Sequence, residues 1–105
     1  MALNSRAKGK SGELELAAFL RERGYEARRG QQFSGGADSP DVIGIDGVHV
    51  EVKRVEAGNP YVWLDQAIRD AGNKTPIVFH RRNRRDWIVV MRAEDAIALL
   101  KARNP

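Results

Sequence analysis

The segment from Val48 to Lys53 alternates valine with a polar side chain. Successive side chains of a β-strand point to opposite faces, so the segment predicts a strand with valines on one face and polar groups on the other. We expect the valine face to be buried and the polar face, which carries His49, Glu51 and Lys53, to remain accessible. A half-buried strand of this kind presents an acid and a lysine side by side.

Asp41 stands at the head of the preceding apolar run, directly after Pro40. Carboxylate oxygens suit Mg²⁺ or Mn²⁺, and a lysine beside them suits an anion such as phosphate. Each residue alone has an ordinary interpretation, because Asp41 could belong to a turn and Glu51 and Lys53 could lie on a solvated strand face. Together they favour a metal-dependent site that acts on a phosphate.

The chain is basic, with 18 lysines and arginines, 14 acidic residues and a formal net charge of +4. This balance indicates a polyanionic partner, nucleic acid before a membrane surface. Its 105 residues suit one domain, and the absence of cysteine excludes disulfides, thiolate zinc sites and a cysteine nucleophile. No apolar run is long enough to cross a bilayer and residues 1–10 do not resemble a signal peptide, so we expect a cytoplasmic protein.

The order of the predicted elements is α-β-β-β-α-β-β-α, which indicates a mixed sheet with helices packed against it. Asn59 is a suitable N-cap for the middle helix, with Pro60 in its first turn and Leu64 and Ala67 on its buried stripe. We expect helices at residues 11–24, 60–71 and 93–103, the first with a start up to one turn earlier, and strands at residues 25–29, 41–45, 48–54, 77–80 and 87–91.

Glu13 lies on the inward stripe of the first helix, with Ala17 and Leu20. A carboxylate there is costly unless it is paired or binds a metal. The alternative is an exposed position at the helix start, where acids suit the helix dipole. Glu15 falls on the outer side, and we expect it to be an ordinary solvated residue.

The loop at Asp46-Gly47 decides whether Asp41 can meet Glu51. A two-residue turn pairs Asp41 with Val52 and places it on the valine face. A three-residue turn, with Gly47 in the left-handed conformation, shifts the pairing by one residue and places Asp41 opposite Glu51. The sequence is compatible with both, and a metal site requires an odd-length loop or an Asp41 that swings round at the start of its strand.

Pro40-Asp41 and residues 51–53, Glu-Val-Lys, resemble the core motif of the PD-(D/E)XK nuclease superfamily. Residues 8–13, 16–25 and 28–35 are similar to the Lys-Gly…Glu pattern, the following helix and the arginine, serine and glycine stretch of archaeal and phage-type Holliday junction resolvases. The resemblance extends over most of the chain. It implies a single restriction-endonuclease-like α/β domain over residues 1–105, in which residues 1–10 form a basic tail with freedom to move.

Two features differ from the archaeal members of that group. The loop at residues 31–39 is longer, and Gln66 resembles a glutamine of a sister group, the virus-type replication-repair nucleases. Both differences concern the choice of substrate more than the chemistry.

The resemblance implies that Asp41, Glu51, the carbonyl of Val52 and Glu13 hold Mg²⁺, with Mn²⁺ able to substitute. Lys53 would orient or help to deprotonate the attacking water, or stabilise the developing charge. The product would carry a 5′-phosphate and a 3′-hydroxyl. Ser34 and Gln66 would support the site or contact a phosphate. The alternatives are that Ser34 is an ordinary loop residue and that Gln66 is an ordinary surface residue. The implied catalytic residues are Glu13, Asp41, Glu51, Lys53 and Gln66.

The arginine tip, residues 81–85, is a charge run that we interpret as a phosphate contact. His49 and His80 are expected to serve packing or DNA contact. Tyr61 and Trp63 are interpreted as core residues or as the seam of a homodimer, because a four-way junction has two symmetric strands to cut. The expected DNA-binding residues are Lys8, Lys10, Arg28, Arg29, Ser34, Arg54, Arg81, Arg82, Arg84 and Arg85.

The leading functional hypothesis is a structure-selective, Mg²⁺-dependent endodeoxyribonuclease that resolves Holliday junctions in recombination and repair, in a prokaryotic or phage-infected cell. Three alternatives stay open: a flap, nick or single-strand nuclease with the same site, a non-catalytic DNA-binding module on the same fold, and a domain that requires a partner helicase or recombinase.

Overall fold

The computed structural model describes residues 5–30 and 40–104, with side chains from residue 9 onward. Its element order is the one that the sequence predicts. The elements are α1 (Ser5–Arg21), β1 (Arg28–Arg29), β2 (Val42–Ile43), β3 (Val48–Lys53), α2 (Pro60–Ala71), β4 (Thr75–His80), β5 (Ile88–Val90) and α3 (Ala93–Arg103).

The five strands form one mixed sheet in the order β1-β2-β3-β4-β5. Only β3 and β4 run parallel, in register from Val48 beside Thr75 to Lys53 beside His80, and the other neighbours are antiparallel. A parallel pair needs a crossover connection, and α2 supplies it. The predicted α/β fold, a restriction-endonuclease-like mixed sheet flanked by helices, is confirmed.

The loop between β2 and β3 takes the odd-length register. Val42 pairs with Val50, which is the register of the three-residue turn. Asp41 lies one residue before β2, and its N–H donates to the Val50 carbonyl at 2.8 Å. Gly47 has a φ of +76°, the left-handed conformation that the three-residue turn requires. The pairing of Asp41 with Val52, which the two-residue alternative requires, is wrong, although the Val48 N–H does donate to the Ile45 carbonyl across Asp46 and Gly47 at 3.2 Å.

Hydrophobic clusters lie on both faces of the sheet. On one face, α1 packs Leu16 and Leu20 against the valine side of β3 around Val50. On the other, α2 packs Trp63 and its neighbours against Val78.

The predicted accessibility of the polar face of β3 is therefore wrong. His49 is 2% exposed and Glu51 is 4% exposed. The reason is that β3 has a parallel neighbour, and the helix that makes the crossover covers this face of the strand. The alternation in sequence marks two different environments, both of them inside the protein.

Local signals set the ends of α2. The Asn59 side chain accepts a hydrogen bond from the Tyr61 N–H at 2.9 Å, Pro60 occupies the first turn, and Gly72 with a φ of +60° ends the helix. These bounds agree with the predicted ones. By contrast, α1 begins at Ser5, well before the predicted start, so residues 5–10 of the expected tail are helical.

The last helix, α3, buries none of its residues. Ile97, Leu99 and Leu100 are 45 to 59% exposed. Ile88 and Val89 of β5, the edge strand at the same end of the sheet, are about half exposed as well. None of the described helices is long and apolar enough to cross a membrane.

Candidate active site

Three carboxylates from different elements converge beside β3. Asp41 immediately precedes β2, Glu51 lies in the middle of β3, and Glu13 reaches in from α1. One oxygen of Asp41, Oδ2, accepts a hydrogen bond from the Val52 N–H at 2.8 Å, and the Asp41 N–H donates to the Val50 carbonyl at 2.8 Å. The aspartate is therefore anchored to β3 at both its backbone and its side chain.

Burial raises the pKa of Glu51 to about 8, and the nearby Asp41 carboxylate adds to this effect while Lys53 opposes it. Because Glu51 is nearly inaccessible to water, its negative charge is poorly solvated. A bound divalent cation would replace the proton and neutralise both carboxylates. The crowding of these two acids is the feature of the site that best fits a metal.

Glu13 belongs to the same group of acids. Its side chain is 12% exposed, and Arg29 Nε donates to Glu13 Oε1 at 2.6 Å. Burial raises the pKa of Glu13, Arg29 opposes the effect, and Asp41 raises the pKa further. The inward position that the helical pattern predicts for Glu13 is confirmed, and Arg29 provides the pairing that such a position requires.

His49 and Asp70 are two residues that sequence reasoning did not place at the site. His49 Nε2 lies 2.9 Å from Glu51 Oε1. Ligand atoms of His49, Glu51 and Asp70 all lie within 4.8 Å of one another. An imidazole nitrogen with carboxylate oxygens is a donor set that suits divalent metals, and burial lowers the pKa of His49, which favours the neutral ring that a metal needs.

The signal for His49 was present in the sequence, because it shares a strand face with Glu51. Asp70 gave no comparable signal, except that it lies one helical turn after Gln66 on α2. Gln66 itself is exposed. Among the described residues no hydrogen bond joins it to the carboxylates.

Lys53 ends β3 on the same face as Glu51. Its charge acts to lower the pKa of Glu51, which places the ammonium group within electrostatic reach of the carboxylates. The Lys53 carbonyl is hydrogen-bonded to Nδ1 of His80 at 2.8 Å. The ring of His80 lies against Trp63, with a centroid distance of 4.7 Å, so both aromatic residues support the end of the strand that carries the lysine.

Glu15 is not the solvated residue that the sequence predicts. Its two oxygens accept hydrogen bonds from Arg54 Nε at 3.0 Å and from Arg81 Nη1 at 2.6 Å. Burial acts to raise the pKa of Glu15, but the hydrogen bonds from the two arginines outweigh it and lower the pKa. Two of the expected DNA contacts are thus engaged in an internal ion-pair cluster that joins α1 to the ends of β3 and β4.

Of the other expected DNA-binding residues, Arg29 is paired with Glu13, and the rest fall into two groups. The side chain of Lys8 and the whole of Ser34 lie outside the described residues. Those that the structure leaves exposed are Lys10, Arg28, Arg82, Arg84 and Arg85. Of the two aromatic residues proposed as core or dimer seam, Trp63 is 9% exposed and belongs to the core, whereas Tyr61 is 80% exposed.

Comparison with known proteins gives one match. The model of the family described as "Phage putative PDDEXK endonuclease" matches residues 4–104. No curated protein and no solved structure gives a significant match. Because the family model covers nearly the whole chain, including every carboxylate of the site, the chain belongs to this phage PDDEXK endonuclease family, which supports a nuclease function on DNA.

Proposed function

We propose that the chain is a divalent-metal-dependent, structure-selective endonuclease that cuts Holliday junctions. The observation that carries the proposal is the meeting of Asp41 and Glu51, with Lys53 beside them, in a member of an endonuclease family. Two neighbouring carboxylates, one with a raised pKa, and a cationic group beside them are suited to the hydrolysis of a phosphodiester.

Asp41, Glu51 and the Val52 carbonyl would hold Mg²⁺, with Glu13 joining directly or through water. Mn²⁺ should substitute, because it takes the same hard oxygen ligands. The metal, when bound, would lower the pKa of a water molecule and stabilise the charge that develops on the phosphate. The Val52 N–H fixes one oxygen of Asp41 at 2.8 Å, which would hold the carboxylate in place beside the cation.

The remaining residues would position the reacting groups. Lys53 would orient the attacking water or stabilise negative charge on the phosphate. His49, hydrogen-bonded to Oε1 of Glu51, would hold that carboxylate in a single orientation, as partners of metal ligands commonly do. Arg29 would do the same for Glu13 through their 2.6 Å contact.

Selectivity for a branched substrate would come from a second copy of the chain and from exposed arginines that follow β4, at the end of the sheet where Lys53 ends β3. These arginines are Arg82, Arg84 and Arg85. A twofold homodimer supplies two sites for the two symmetric strands of a junction. The half-exposed apolar side chains of α3 and of the edge strand β5, among them Ile97, Leu100 and Val89, favour this surface over Trp63 as the seam of such a dimer.

The direct test is cleavage of a labelled four-way junction in Mg²⁺, Mn²⁺ or EDTA. The wild-type protein should nick it in both metals and not in EDTA, and Asp41→Asn should abolish nicking. Asp46→Asn is a matched control, since it removes the same charge from the exposed turn before β3 and should leave the rate unchanged. Persistent cleavage by Asp41→Asn, or cleavage in EDTA, would refute the proposed site.

A further inference from the structure

A hollow of about 420 Å³ opens between the loops that follow β3 and β4. Its lining includes Gly58, Pro60 and Trp63 from the segment after β3, and His80, Arg82 and Arg85 from the end of β4 and the loop after it. Ligand pockets commonly begin near 300 Å³, and the hollow lies outside the carboxyl ends of two parallel strands, where ligands of α/β proteins commonly bind.

One wall of this hollow is apolar and rigid. Trp63 is held between the ring of His80, at a centroid distance of 4.7 Å, and the backbone at Gly58. A side-chain carbon at position 58 would collide with the indole. Pro60 and Ile88 extend the apolar surface. Trp63 is 9% exposed, so it shows the hollow an edge of its indole beside the exposed Pro60. An apolar surface that is fixed in this way can receive the flat ring of an unpaired base.

The lining also carries uncompensated positive charge. Arg82 and Arg85 are exposed, and among the described residues neither side chain has an ion-pair or hydrogen-bond partner. Arg81 also lines the hollow, but it is bound to Glu15. Asp86 is the single acid of the lining, so the net charge favours an anion.

A second hollow, of about 510 Å³, lies on the α1 side of the same loop. It is lined by Glu15, Glu22 and Asp86 as well as by three arginines, so it suits an anion less well. The first hollow is therefore the better candidate for a phosphate-bearing ligand.

The first hollow adjoins the proposed catalytic residues. His80, which lines it, is hydrogen-bonded to the carbonyl of Lys53 at 2.8 Å. Lys53 in turn follows Glu51 by two residues on the same strand face. The hollow therefore adjoins the end of β3 that carries Lys53.

We propose that this hollow binds one unpaired nucleotide of the DNA strand that is cut, with its base against Pro60 and the exposed edge of Trp63 and its phosphate between Arg82 and Arg85. This inference rests on the proposed nuclease function and names the feature of the substrate that the site reads. Continuous duplex offers no unpaired nucleotide, whereas a branch point does once its terminal base pair opens. The hollow would then select branched DNA without reading a base sequence.

The test is binding of a trinucleotide with 2-aminopurine at its centre, measured in EDTA so that no cleavage can occur. Stacking of the fluorescent base should quench its emission. The double variant Arg82→Gln/Arg85→Gln should bind about tenfold more weakly or worse, because stacking without phosphate contacts is insufficient. The control Lys101→Gln/Arg103→Gln removes two exposed charges from the last turn of α3 and should bind within about twofold of wild type.

A trinucleotide with an abasic centre separates base recognition from simple charge attraction. It keeps every phosphate, and it should bind at least about tenfold more weakly than the 2-aminopurine probe. Equal binding of the abasic probe, or equal losses in the double variant and its control, would overturn the proposal.

The same proteins, assayed for junction cleavage, distinguish failure of this inference from failure of the proposed function. Trinucleotide binding without any metal-dependent cleavage would refute the nuclease and leave the nucleotide site standing. Cleavage by a protein that neither binds nor quenches the probe would refute the nucleotide site alone.

Discussion

Glu51 is buried beside a second carboxylate, so replacing it by glutamine should stabilise the protein when no metal is present. Burial raises the pKa of Glu51 from 4.5 to about 8, and Asp41 adds to the effect. A glutamine at this position is nearly isosteric and can still hydrogen-bond to His49. The substitution therefore removes the ionisable proton and the buried charge while it keeps the packing.

The raised pKa of Glu51 gives the sign of the effect and its order of magnitude. In the folded protein the group binds its proton more tightly than in the unfolded chain, so between pH 4.5 and about 8 the free energy of unfolding of wild type falls as the pH rises. Each pH unit in this interval corresponds to about 1.4 kcal/mol. Glu51→Gln should therefore be more stable than wild type by up to about 5 kcal/mol at pH 9, and the gain should disappear below pH 4.5.

Urea unfolding in EDTA across this pH range measures the difference directly. Glu26→Gln is the matched control, because Glu26 is exposed, and it should follow wild type at every pH. With Mg²⁺ at about 100 times its dissociation constant, wild type alone should gain about 2.7 kcal/mol. If Glu51→Gln is no more stable than wild type at pH 9 in EDTA, the crowding of carboxylates inferred from the structure is wrong.

Three further substitutions test other parts of the account. Lys53→Met should lower the rate of cleavage by about a hundredfold or more while Mg²⁺ still stabilises the protein against urea, and a loss of both would instead make Lys53 a structural residue. Glu15→Gln should lower the free energy of unfolding, measured by thermal unfolding, by about 1 kcal/mol, since the arginine contacts that it weakens are only partly buried. Unchanged stability would mean that the cluster contributes no more than ordinary surface charges do. Leu16→Ala, at a position with no exposure, should cost about 3 kcal/mol, and a loss below about 1 kcal/mol would mean that α1 packs differently.

Short-range signals in the sequence predict much of this fold. Asn59, Pro60 and Gly72 set the ends of α2 through one cap, one fixed φ and one positive φ. Gly47 provides the conformation that brings Asp41 to Glu51, although the sequence is compatible with two loop lengths. The choice between them follows from pairing along β2 and β3, which local chemistry at the loop does not determine.

Long-range packing decides the features that the sequence does not reveal. The burial of His49 depends on α2 crossing its face of the sheet, and this follows from the parallel pairing of β3 with a strand that lies far along the chain. Glu15 meets Arg54 and Arg81 across 39 and 66 residues of sequence. The helical pattern identifies its side of α1 but cannot show that two strand ends bring arginines to it. Asp70 reaches Glu51 because α2, which carries Asp70, crosses the same face of the sheet.

Structure selectivity is measured by single-turnover cleavage in Mg²⁺ of a four-way junction and of the linear duplexes that make up its arms. We predict paired nicks at symmetric positions, with 5′-phosphate ends, at a rate at least about a hundredfold above that on the duplexes, which corresponds to about 3 kcal/mol of discrimination. Equal rates on junction and duplex would contradict the claim of structure selectivity. A protein that binds the junction but does not cut it in Mg²⁺ or Mn²⁺ would contradict the claim that Asp41 and Glu51 form a nuclease site.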